Sequence, residues 1–180
     1  AVLIEGHTDN VPPKGDIKEK YPPDSYKMFI ALSYSSMNKV RAEKYYKAKE
    51  IGYDLVSYVS SKCTFLTEIP VGDNCFILED NTIQPFVKIG ANNILWSGNH
   101  IGHHSIIEDN VFISSHVVVS GHCRIGANCF LGVNGAVAND IKIAEDCWIG
   151  PGVVINANTK PGQMFPAAKG EASKVTTYRF

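Results

Sequence analysis

The sequence predicts a mainly β protein, in which a parallel β-helix of six-residue repeats follows a small α/β segment. The first observation is a strict period: over fifteen steps between residues 71 and 155, every sixth residue is Ile, Leu or Val. This period matches neither an α-helix nor a hairpin, and it is typical of a solenoid whose coils bury one continuous core. The second observation is that residues 1–62 do not follow this frame and alternate between strand-like and helix-like patterns.

Residues 1–62 are predicted to form a Rossmann-like α/β domain. The apolar run at residues 27–34 predicts a strand, Ser35-Ser36 predicts a helix start, and Gly52 predicts a left-handed cap where that helix ends. Alternation over residues 55–59 predicts a second strand, which completes a β-α-β unit. No G-x-G-x-x-G turn and no initiator Met are present. We therefore expect either that the first βα unit lies outside this numbering or that this domain does not grip phosphate in the usual way.

Residues 63–162 are predicted to form the β-helix. Three six-residue steps make one triangular coil of 18 residues, so fifteen steps predict five coils, about 24 Å tall at ~4.8 Å between strands. The second residue of the step is often glycine, which suits a corner that needs a positive φ or a close backbone approach; these glycines are Gly72, Gly90, Gly102, Gly126, Gly132 and Gly150. Residues 163–180 leave the period, and we expect this C-terminal tail to cap or wrap the last coil.

Four of the five cysteines share the fifth position of the six-residue step: Cys75, Cys123, Cys129 and Cys147. Elsewhere this position holds small or slender residues, and free cysteine behaves as a small hydrophobic residue. Because no C-x-x-C pair is present, the cysteines are predicted to be buried packing residues.

Composition excludes several classes of function. The net charge is -1 and the basic residues are scattered, so the sequence does not predict binding to nucleic acid. No apolar run approaches the ~20 residues that cross a bilayer, and no secretory leader opens the chain. We therefore expect a cytoplasmic protein without membrane insertion.

Five of the six histidines are crowded into one short stretch of the repeat region: His100, His103, His104, His116 and His122. Imidazole titrates near neutral pH, so this crowding indicates proton transfer or substrate binding. The regular spacing of His104, His122 and Asp140, one coil apart, predicts a ladder along one edge of the coils, serving either as a proton relay or as a hydrogen-bonded surface row. With Asn99, the histidines other than His103 are candidate substrate contacts. Phe86 either borders a sugar or packs at the junction of the two regions.

The segments Ile101-Gly102-His103-His104-Ser105-Ile106 and Cys129-Phe130-Leu131-Gly132-Val133-Asn134 resemble the hexapeptide-repeat acyltransferases, the left-handed parallel β-helix family. More narrowly, the chain is similar to the sugar acetyltransferases related to bacterial sialic acid O-acetyltransferases and bacillosamine-pathway N-acetyltransferases. In that branch a small α/β domain that holds the nucleotide sugar precedes the β-helix. The resemblance implies a left-handed coil, acetyl-CoA as co-substrate, and a homotrimer with active sites between adjacent prisms.

The resemblance also assigns roles to individual residues. His103 matches the catalytic histidine, a general base for an amine or hydroxyl that attacks a thioester. The bacillosamine-pathway pattern is Ile-Glu-His-Glu where this chain reads Ile-Gly-His-His, so the carboxylate that orients the histidine is missing. Gly121, one coil after His103, is predicted to offer its N–H to the oxyanion. Pantetheine is expected to lie along Asn139, Ile141, Gly150 and Pro151.

The expected function is therefore acetyl transfer to the amino or hydroxyl group of a free or nucleotide-linked sugar in surface-polysaccharide biosynthesis. Two alternatives stay open. The first is a non-catalytic scaffold or binding module. The second is a zinc protein like the γ-class carbonic anhydrases, which share the fold and bind zinc through three histidines. No metal is expected, because histidines that recur once per coil point their imidazoles in parallel directions, whereas the ligands of one ion must converge.

Overall fold

The computed structural model describes residues 2–5, 17–170, 172 and 178, and side chains from residue 17 onward. The remaining residues of the predicted C-terminal tail lie outside the described part of the chain. The described helices are α1 (Ile17–Lys20) and α2 (Lys39–Ile51). The strands are β1 (Val2–Glu5), β2 (Lys27–Ile30), β3 (Tyr58–Val59), β4 (Thr64–Phe65), β5 (Phe76–Ile77), β6 (Thr82–Ile83), β7 (Lys88–Ile89), β8 (Ile94–Leu95), β9 (His100–Ile101), β10 (Ile106–Ile107), β11 (Phe112–Ile113), β12 (Val118–Val119), β13 (Arg124–Ile125), β14 (Phe130–Leu131), β15 (Ala136–Val137), β16 (Lys142–Ile143), β17 (Trp148–Ile149), β18 (Val154–Ile155) and β19 (Met164–Phe165).

Two-residue strands stack into three parallel sheets, which form the sides of the β-helix. The first sheet has the order β19-β17-β14-β11-β8-β5-β3, the second β18-β15-β12-β9-β6-β4, and the third β16-β13-β10-β7. The register pairs Ile107 with Ile125, three six-residue steps further along, so each coil contains three steps. The prediction of a mainly β, left-handed parallel β-helix is confirmed.

The β-helix extends beyond the periodic region at both ends. Strands β3 and β4 precede the first periodic residue and pair with β5 and β6. At the other end, β19 pairs with β17 in a register that joins Trp148 to Met164, so this last turn is shorter than a full coil. The solenoid therefore has about six turns, one more than the periodic residues alone predict.

The periodic aliphatic residues form the core of the solenoid. From Ile77 to Ile155 they are buried, and Ile77, Ile83 and Leu95 have no exposed surface. Only Val71, at the start of the run, is partly exposed. Because full burial of such a side chain contributes about 1.5–3 kcal/mol, this continuous column is the main source of stability in a fold with very short strands.

Each corner of the coil turns at a residue with positive φ, at the fourth position of the step. Asn, Asp and His tolerate this conformation better than other residues with a side chain. The series is Asn74, Asp80, Phe86, Asn92, Gly98, His104, Asn110, His116, His122, Asn128, Asn134, Asp140, Asp146 and Gly152. The second-position glycines instead permit close approach: a Cβ on Gly102 would lie 2.5 Å from the carbonyl carbon of Ser120. Of the two reasons predicted for these glycines, close approach is the correct one.

The α/β segment contains the predicted order of strand and helix, but its second strand is shorter than predicted. β1 pairs in parallel with β2, and α2 follows. Leu55 then forms a single parallel bridge with Met28. The strand predicted over residues 55–59 is thus divided, because Tyr58–Val59 pairs with Phe76–Ile77 as part of the solenoid.

Helix α2 begins later than predicted. Its N-cap is Asn38, in the left-handed conformation at φ 65°, rather than Ser35 or Ser36. The predicted cap at its C-terminus is confirmed, since Gly52 has φ 105° and its N–H donates to the carbonyls of Ala48 and Lys49. With 13 residues α2 is the longest helix in the described part of the chain, where no helix is long and apolar enough to cross a bilayer.

A buried arginine joins α2 to the solenoid. Arg41 has no exposed surface, and its guanidinium donates to the carbonyls of Ser33, Asn92, Asn110 and Val111 and to Oδ1 of Asn38. Burial lowers the pKa of Arg41 to about 10, so the group stays charged at neutral pH. These acceptors offset the cost of removing the cation from water, which explains how a charged residue occupies the helix face where apolar residues are expected.

Arg41 lies against one corner column of the coils, which we call the asparagine edge: Asn74, Asn92, Asn110, Asn128 and Asp146, between the third and first sheets. Along this edge Nδ2 of Asn74 donates to Oδ1 of Asn92 at 2.7 Å, and Nδ2 of Asn92 donates to Oδ1 of Asn110 at 2.8 Å. The N–H of Ile30 donates to Oδ1 of Asn74 at 2.7 Å. The α/β segment is therefore bonded directly to the stacked amides.

An aromatic strip completes the junction. The outward residues Ile94, Phe112 and Phe130 of the first sheet are buried, with Met37 packed against them. The Tyr34 ring centroid lies 4.9 Å from those of Phe112 and Phe130. The α/β segment thus covers the first sheet and leaves the edge between the second and third sheets open.

We predict that the cysteines stay unreactive in the folded protein. All five are free and four are buried, and burial raises the pKa of Cys75 to about 12 and that of Cys129 to about 12. At pH 8 their thiolate fraction is therefore on the order of 10⁻⁴. A chromogenic disulfide reagent should label at most one thiol per folded chain, the half-buried Cys63, and five after denaturation. Rapid labelling of two or more thiols in the folded protein would contradict this packing.

We also predict that Arg41→Met lowers the free energy of unfolding by at least about 3 kcal/mol, because several buried carbonyls lose their donor at roughly 1–3 kcal/mol each. Denaturant titration followed by circular dichroism measures the change. Lys47→Met, on an exposed position of the same helix, is the matched control and should change stability by less than about 0.5 kcal/mol. Equal stability of the two variants would refute the role given to Arg41.

Candidate functional site

Three of the crowded histidines, His103, His104 and His122, lie in two of four successive corners between the second and third sheets. We call this column the histidine edge; it comprises residues 84–86, 102–104, 120–122 and 138–140. Backbone bonds hold the corners in register: the N–H of His104 donates to the carbonyl of Pro85, that of His122 to His103, and that of Asp140 to Gly121. Each corner therefore sits directly on the corner of the preceding coil.

His103 lies at the centre of the histidine edge with an exposed side chain. Its Nδ1 is 3.1 Å from Nδ1 of His104, a hydrogen bond in which one ring nitrogen donates and the other accepts. Its backbone N–H donates to Oε1 of Gln84 at 2.9 Å. His104 thus occupies the place of the orienting carboxylate that the sequence lacks, and one nitrogen of His103 is left free of this bond.

The predicted ladder of His104 and His122 is present as stacked rings. Their centroids are 4.8 Å apart with an interplanar angle of 12°. Phe86 extends the stack, with its centroid 4.6 Å from that of His104. The expectation that Phe86 packs at the junction with the α/β segment is wrong, because the coil places it directly below His104, where it is 61% exposed. The contact between the two rungs, His104 and His122, is ring stacking, which is neither the hydrogen-bonded row nor the proton relay that the spacing left open.

The structure corrects the role expected of Gly121. Its N–H already donates to Oδ1 of Asn139 at 2.9 Å, so we do not assign it as an oxyanion donor. A Cβ on Gly121 would lie 2.8 Å from Cε1 and 2.9 Å from Nε2 of His103. The absence of a side chain at Gly121 therefore makes room for the His103 ring.

A row of basic residues lies beside the histidine edge. Lys88, Arg124 and Lys142 are exposed on the third sheet; Arg124 and Lys142 are one coil apart, whereas Ile106 occupies the coil between Lys88 and Arg124, and Arg124 is also paired to Glu108. An open groove of about 500 Å³ on this face is lined by Lys88 and Arg124 together with Glu108 and Asp109, and no residue of the histidine edge is among its lining residues.

The other residues predicted from the sequence are separated from this cluster within one chain. His116, Gly150 and Pro151 lie on the edge between the first and second sheets. The β9 residue His100 is half-buried on the second sheet. Ile141 is partly buried and packs against the core.

Asn99, predicted to contact substrate, is buried. Its Nδ2 donates to the carbonyl of Trp96, and its Oδ1 accepts from the N–H of Val117. We therefore leave it out of the candidate site.

Gln84 is a member of the site that was not predicted from the sequence. It lies one coil before Gly102 on the same edge, and this spacing is the signal that could have identified it.

No protein-family model and no curated protein matches the sequence. Solved structures do match its fold. The acetyltransferase domain of PglB from Neisseria gonorrhoeae FA1090, in complex with acetyl coenzyme A, has a TM-score of 0.77 at 18% identity and aligns over 89% of this chain and 78% of its own. A mutant perosamine N-acetyltransferase from Caulobacter crescentus, in complex with CoA and GDP-perosamine, has a TM-score of 0.71 at 19% identity, over 77% of this chain and 64% of its own.

A third structure, PerB from Caulobacter crescentus in complex with CoA and GDP-perosamine, has a TM-score of 0.70 at 20% identity, over 77% of this chain and 65% of its own. The chain thus spans slightly less than two thirds of the two Caulobacter structures. At these identities the matches establish a common fold.

We predict that Gly121→Ala displaces the His103 ring while the fold is retained. The new methyl group would overlap the ring, and an exposed side chain can rotate away at small cost. The imidazole NMR signals of His103 should shift, and the melting temperature should change by less than about 4 °C. Gly170→Ala is the control, because nothing lies within 4 Å of a Cβ there. Unchanged His103 signals in the Gly121 variant would disprove the contact.

Proposed function

We propose that this protein is an acetyl-CoA-dependent acetyltransferase that modifies the amino or hydroxyl group of a nucleotide-linked sugar in surface-polysaccharide biosynthesis. The observation that carries the proposal is His103, an exposed imidazole bonded through one nitrogen to His104 and fitted against Gly121. The fold held in common with acetyltransferases solved in complex with CoA compounds supports it.

The proposed mechanism follows from the tautomer that this bond favours. When Nδ1–H of His103 donates to Nδ1 of His104, Nε2 of His103 keeps its lone pair and serves as the general base. The sugar amine or hydroxyl attacks the thioester carbonyl carbon and transfers its proton to Nε2. The tetrahedral intermediate then collapses, the carbon–sulfur bond breaks, and the imidazolium returns the proton to the departing thiolate. The scheme contains no acyl-enzyme, because four of the five cysteines are buried and the half-buried Cys63 lies outside the histidine edge.

His104 is the orienting acceptor in this scheme. A neutral imidazole holds the tautomer of His103 but gives the imidazolium less electrostatic support than a carboxylate would. We assign to Gly121 the role of leaving space for the His103 ring. Oδ1 of Asn139 accepts the N–H of Gly121 and so fixes the backbone there. Asn139 lies on the histidine edge, and it is the one residue expected to contact pantetheine that we keep near the reacting groups.

The surroundings indicate where the substrates bind. Lys88 and Lys142 are exposed cations on the third sheet, which borders the histidine edge, and such cations suit the phosphates of CoA or of a nucleotide sugar. We propose that the α/β segment before Tyr58 acts as the sugar-nucleotide domain, that the solenoid, which extends from β3 to β19 rather than over residues 63–162, acts as the acyltransferase domain, and that the residues after Phe165 act as a tail.

We further propose a homotrimer located in the cytoplasm. The second sheet borders the histidine edge and exposes Val118 and Val154, which are 43% and 66% exposed, and such aliphatic residues suit contact with a second copy of the chain. Five unpaired cysteines are typical of a reducing compartment.

The test measures turnover of acetyl-CoA with sugar nucleotides whose acceptor is an amino or a hydroxyl group, and the released CoA thiol reports the rate. His103→Ala should lower turnover by about 10²–10⁴, because it removes the base. Binding of CoA, measured by thermal shift, should be unchanged. His116→Asn is the matched control, since it removes an exposed histidine from a different edge and keeps a residue that tolerates positive φ.

Full activity of His103→Ala would end the assignment of the base. A purified protein whose melting temperature does not respond to acetyl-CoA would instead favour the non-catalytic scaffold, because a ligand at 100 times its dissociation constant adds about 2.7 kcal/mol of stability.

A further inference from the structure

Three imidazoles of the histidine edge converge closely enough to bind one ion. Ligand nitrogens of His103, His104 and His122 all lie within 4.8 Å of one another, and all three side chains are exposed. We propose that these residues form a binding site for a divalent transition metal ion, with Zn²⁺ as the reference ion, and that the bound ion blocks acetyl transfer. The binding site stands independently of the proposed function; only its inhibitory effect depends on that function.

The geometry of the pair His103 and His104 is close to that of a chelate. Two nitrogens bound to one tetrahedral zinc at about 2.0–2.1 Å lie roughly 3.4 Å apart. The two Nδ1 atoms are already 3.1 Å apart, so the ion can replace the hydrogen bond between them with little movement. The third nitrogen, from His122, needs to approach by at most about 1.4 Å to reach the spacing of a tetrahedral site.

The argument that a ladder aims its rings in parallel does not apply to this cluster. It holds for His104 and His122, whose rings are stacked at 12°. His103, however, comes from the neighbouring position of the step, and its ring makes angles of 88° with His104 and 85° with His122. Two adjacent residues of one corner and one residue of the next coil can therefore face a common point.

Local structure supports the site in two further ways. The backbone bond from the N–H of His122 to the carbonyl of His103 fixes the two corners against each other, so an ion need only order exposed side chains. Imidazole is a preferred ligand of Zn²⁺, Ni²⁺ and Cu²⁺, and the thiols that would compete for such ions are buried, except for the half-buried Cys63.

An ion at this site has a definite chemical consequence. With the metal bound to Nδ1 of His103, the proton of the neutral ring lies on Nε2, so Nε2 has no lone pair with which to accept the proton of the substrate. No bond to substrate forms or breaks in this step; the ion displaces the tautomer that the proposed mechanism requires and holds the ring of His103 in the orientation of the chelate. Under the proposed function, Zn²⁺ is therefore a reversible inhibitor.

The experiment titrates ZnCl₂ into metal-free protein by isothermal calorimetry in a buffer with a phosphine reductant. We expect one ion per chain. His104→Asn and His122→Asn should each raise the dissociation constant at least tenfold, and asparagine is used because it occupies equivalent positive-φ corners such as Asn110 and Asn128. His116→Asn and Cys63→Ser are the controls and should bind as the parent protein does. Circular dichroism verifies that every variant is folded.

The proposal is overturned if Zn²⁺ does not bind, if both histidine-edge variants bind it as tightly as the parent, or if the loss follows Cys63→Ser instead. Chemical shift changes of the His103, His104 and His122 rings on addition of Zn²⁺ provide a readout that needs no substrate. Where acetyl transfer is measurable, Zn²⁺ should abolish it and a chelator should restore it; transfer that is insensitive to Zn²⁺ at saturating occupancy refutes the inhibitory part. A protein without transferase activity that still binds Zn²⁺ through these histidines contradicts the proposed function and supports the metal site.

Discussion

The structure depends on one constraint, the closed three-step coil that places every residue on its counterpart in the preceding coil. The left-handed conformation at the fourth position of each step makes this closure possible, since it turns the chain sharply at each corner. The place of a residue within its coil therefore decides which column of stacked residues it joins. Aliphatic residues form the core column, and polar residues of successive corners become neighbours although a full coil of sequence separates them.

The asparagine edge and the histidine edge have the same corner conformation but carry side chains with different roles. On the asparagine edge, side-chain amides are bonded to one another and covered by α2, so their hydrogen bonds are used for structure. On the histidine edge, equivalent positions carry rings that are exposed and have spare nitrogen atoms. Burial by the α/β segment therefore decides which edge stabilises the protein and which is available to ligands.

Much of this could be predicted from the sequence because the period is strict. The solenoid, the three-step coil, the packing role of the cysteines and the stacking of His104 on His122 all follow from counting residues. The α/β segment has no such period, so its strands were predicted too long and the start of α2 too early. Arg41 escaped prediction because a charged residue in a helix normally faces water, and only the row of carbonyls from distant coils makes its burial possible.

The sequence predicts which edge of the coils carries the candidate site, but it does not predict the contacts between the side chains of the site. Resemblance pointed to His103, and spacing placed Gly121 and the ladder on its edge, yet the bond between His103 and His104 depends on side-chain rotation. The bond from Gly121 to Asn139 similarly depends on the rotamer of an amide one coil away. Histidines at positive φ also have a local reason to be there, so part of the crowding that first indicated chemistry is explained by turn geometry.

The position of Arg41 joins the α/β segment to the solenoid by buried hydrogen bonds and not by the chain alone. If residues 27–52 separated from the coils, the carbonyls of Asn92, Asn110 and Val111 would lose their donor, and the aromatic strip of the first sheet would be exposed to water. Such a separation therefore carries the penalty of unpaired buried polar groups in addition to the loss of apolar burial. The histidine edge consequently lies on coils whose asparagine edge is held by buried hydrogen bonds, while its own rings contact one another and Phe86.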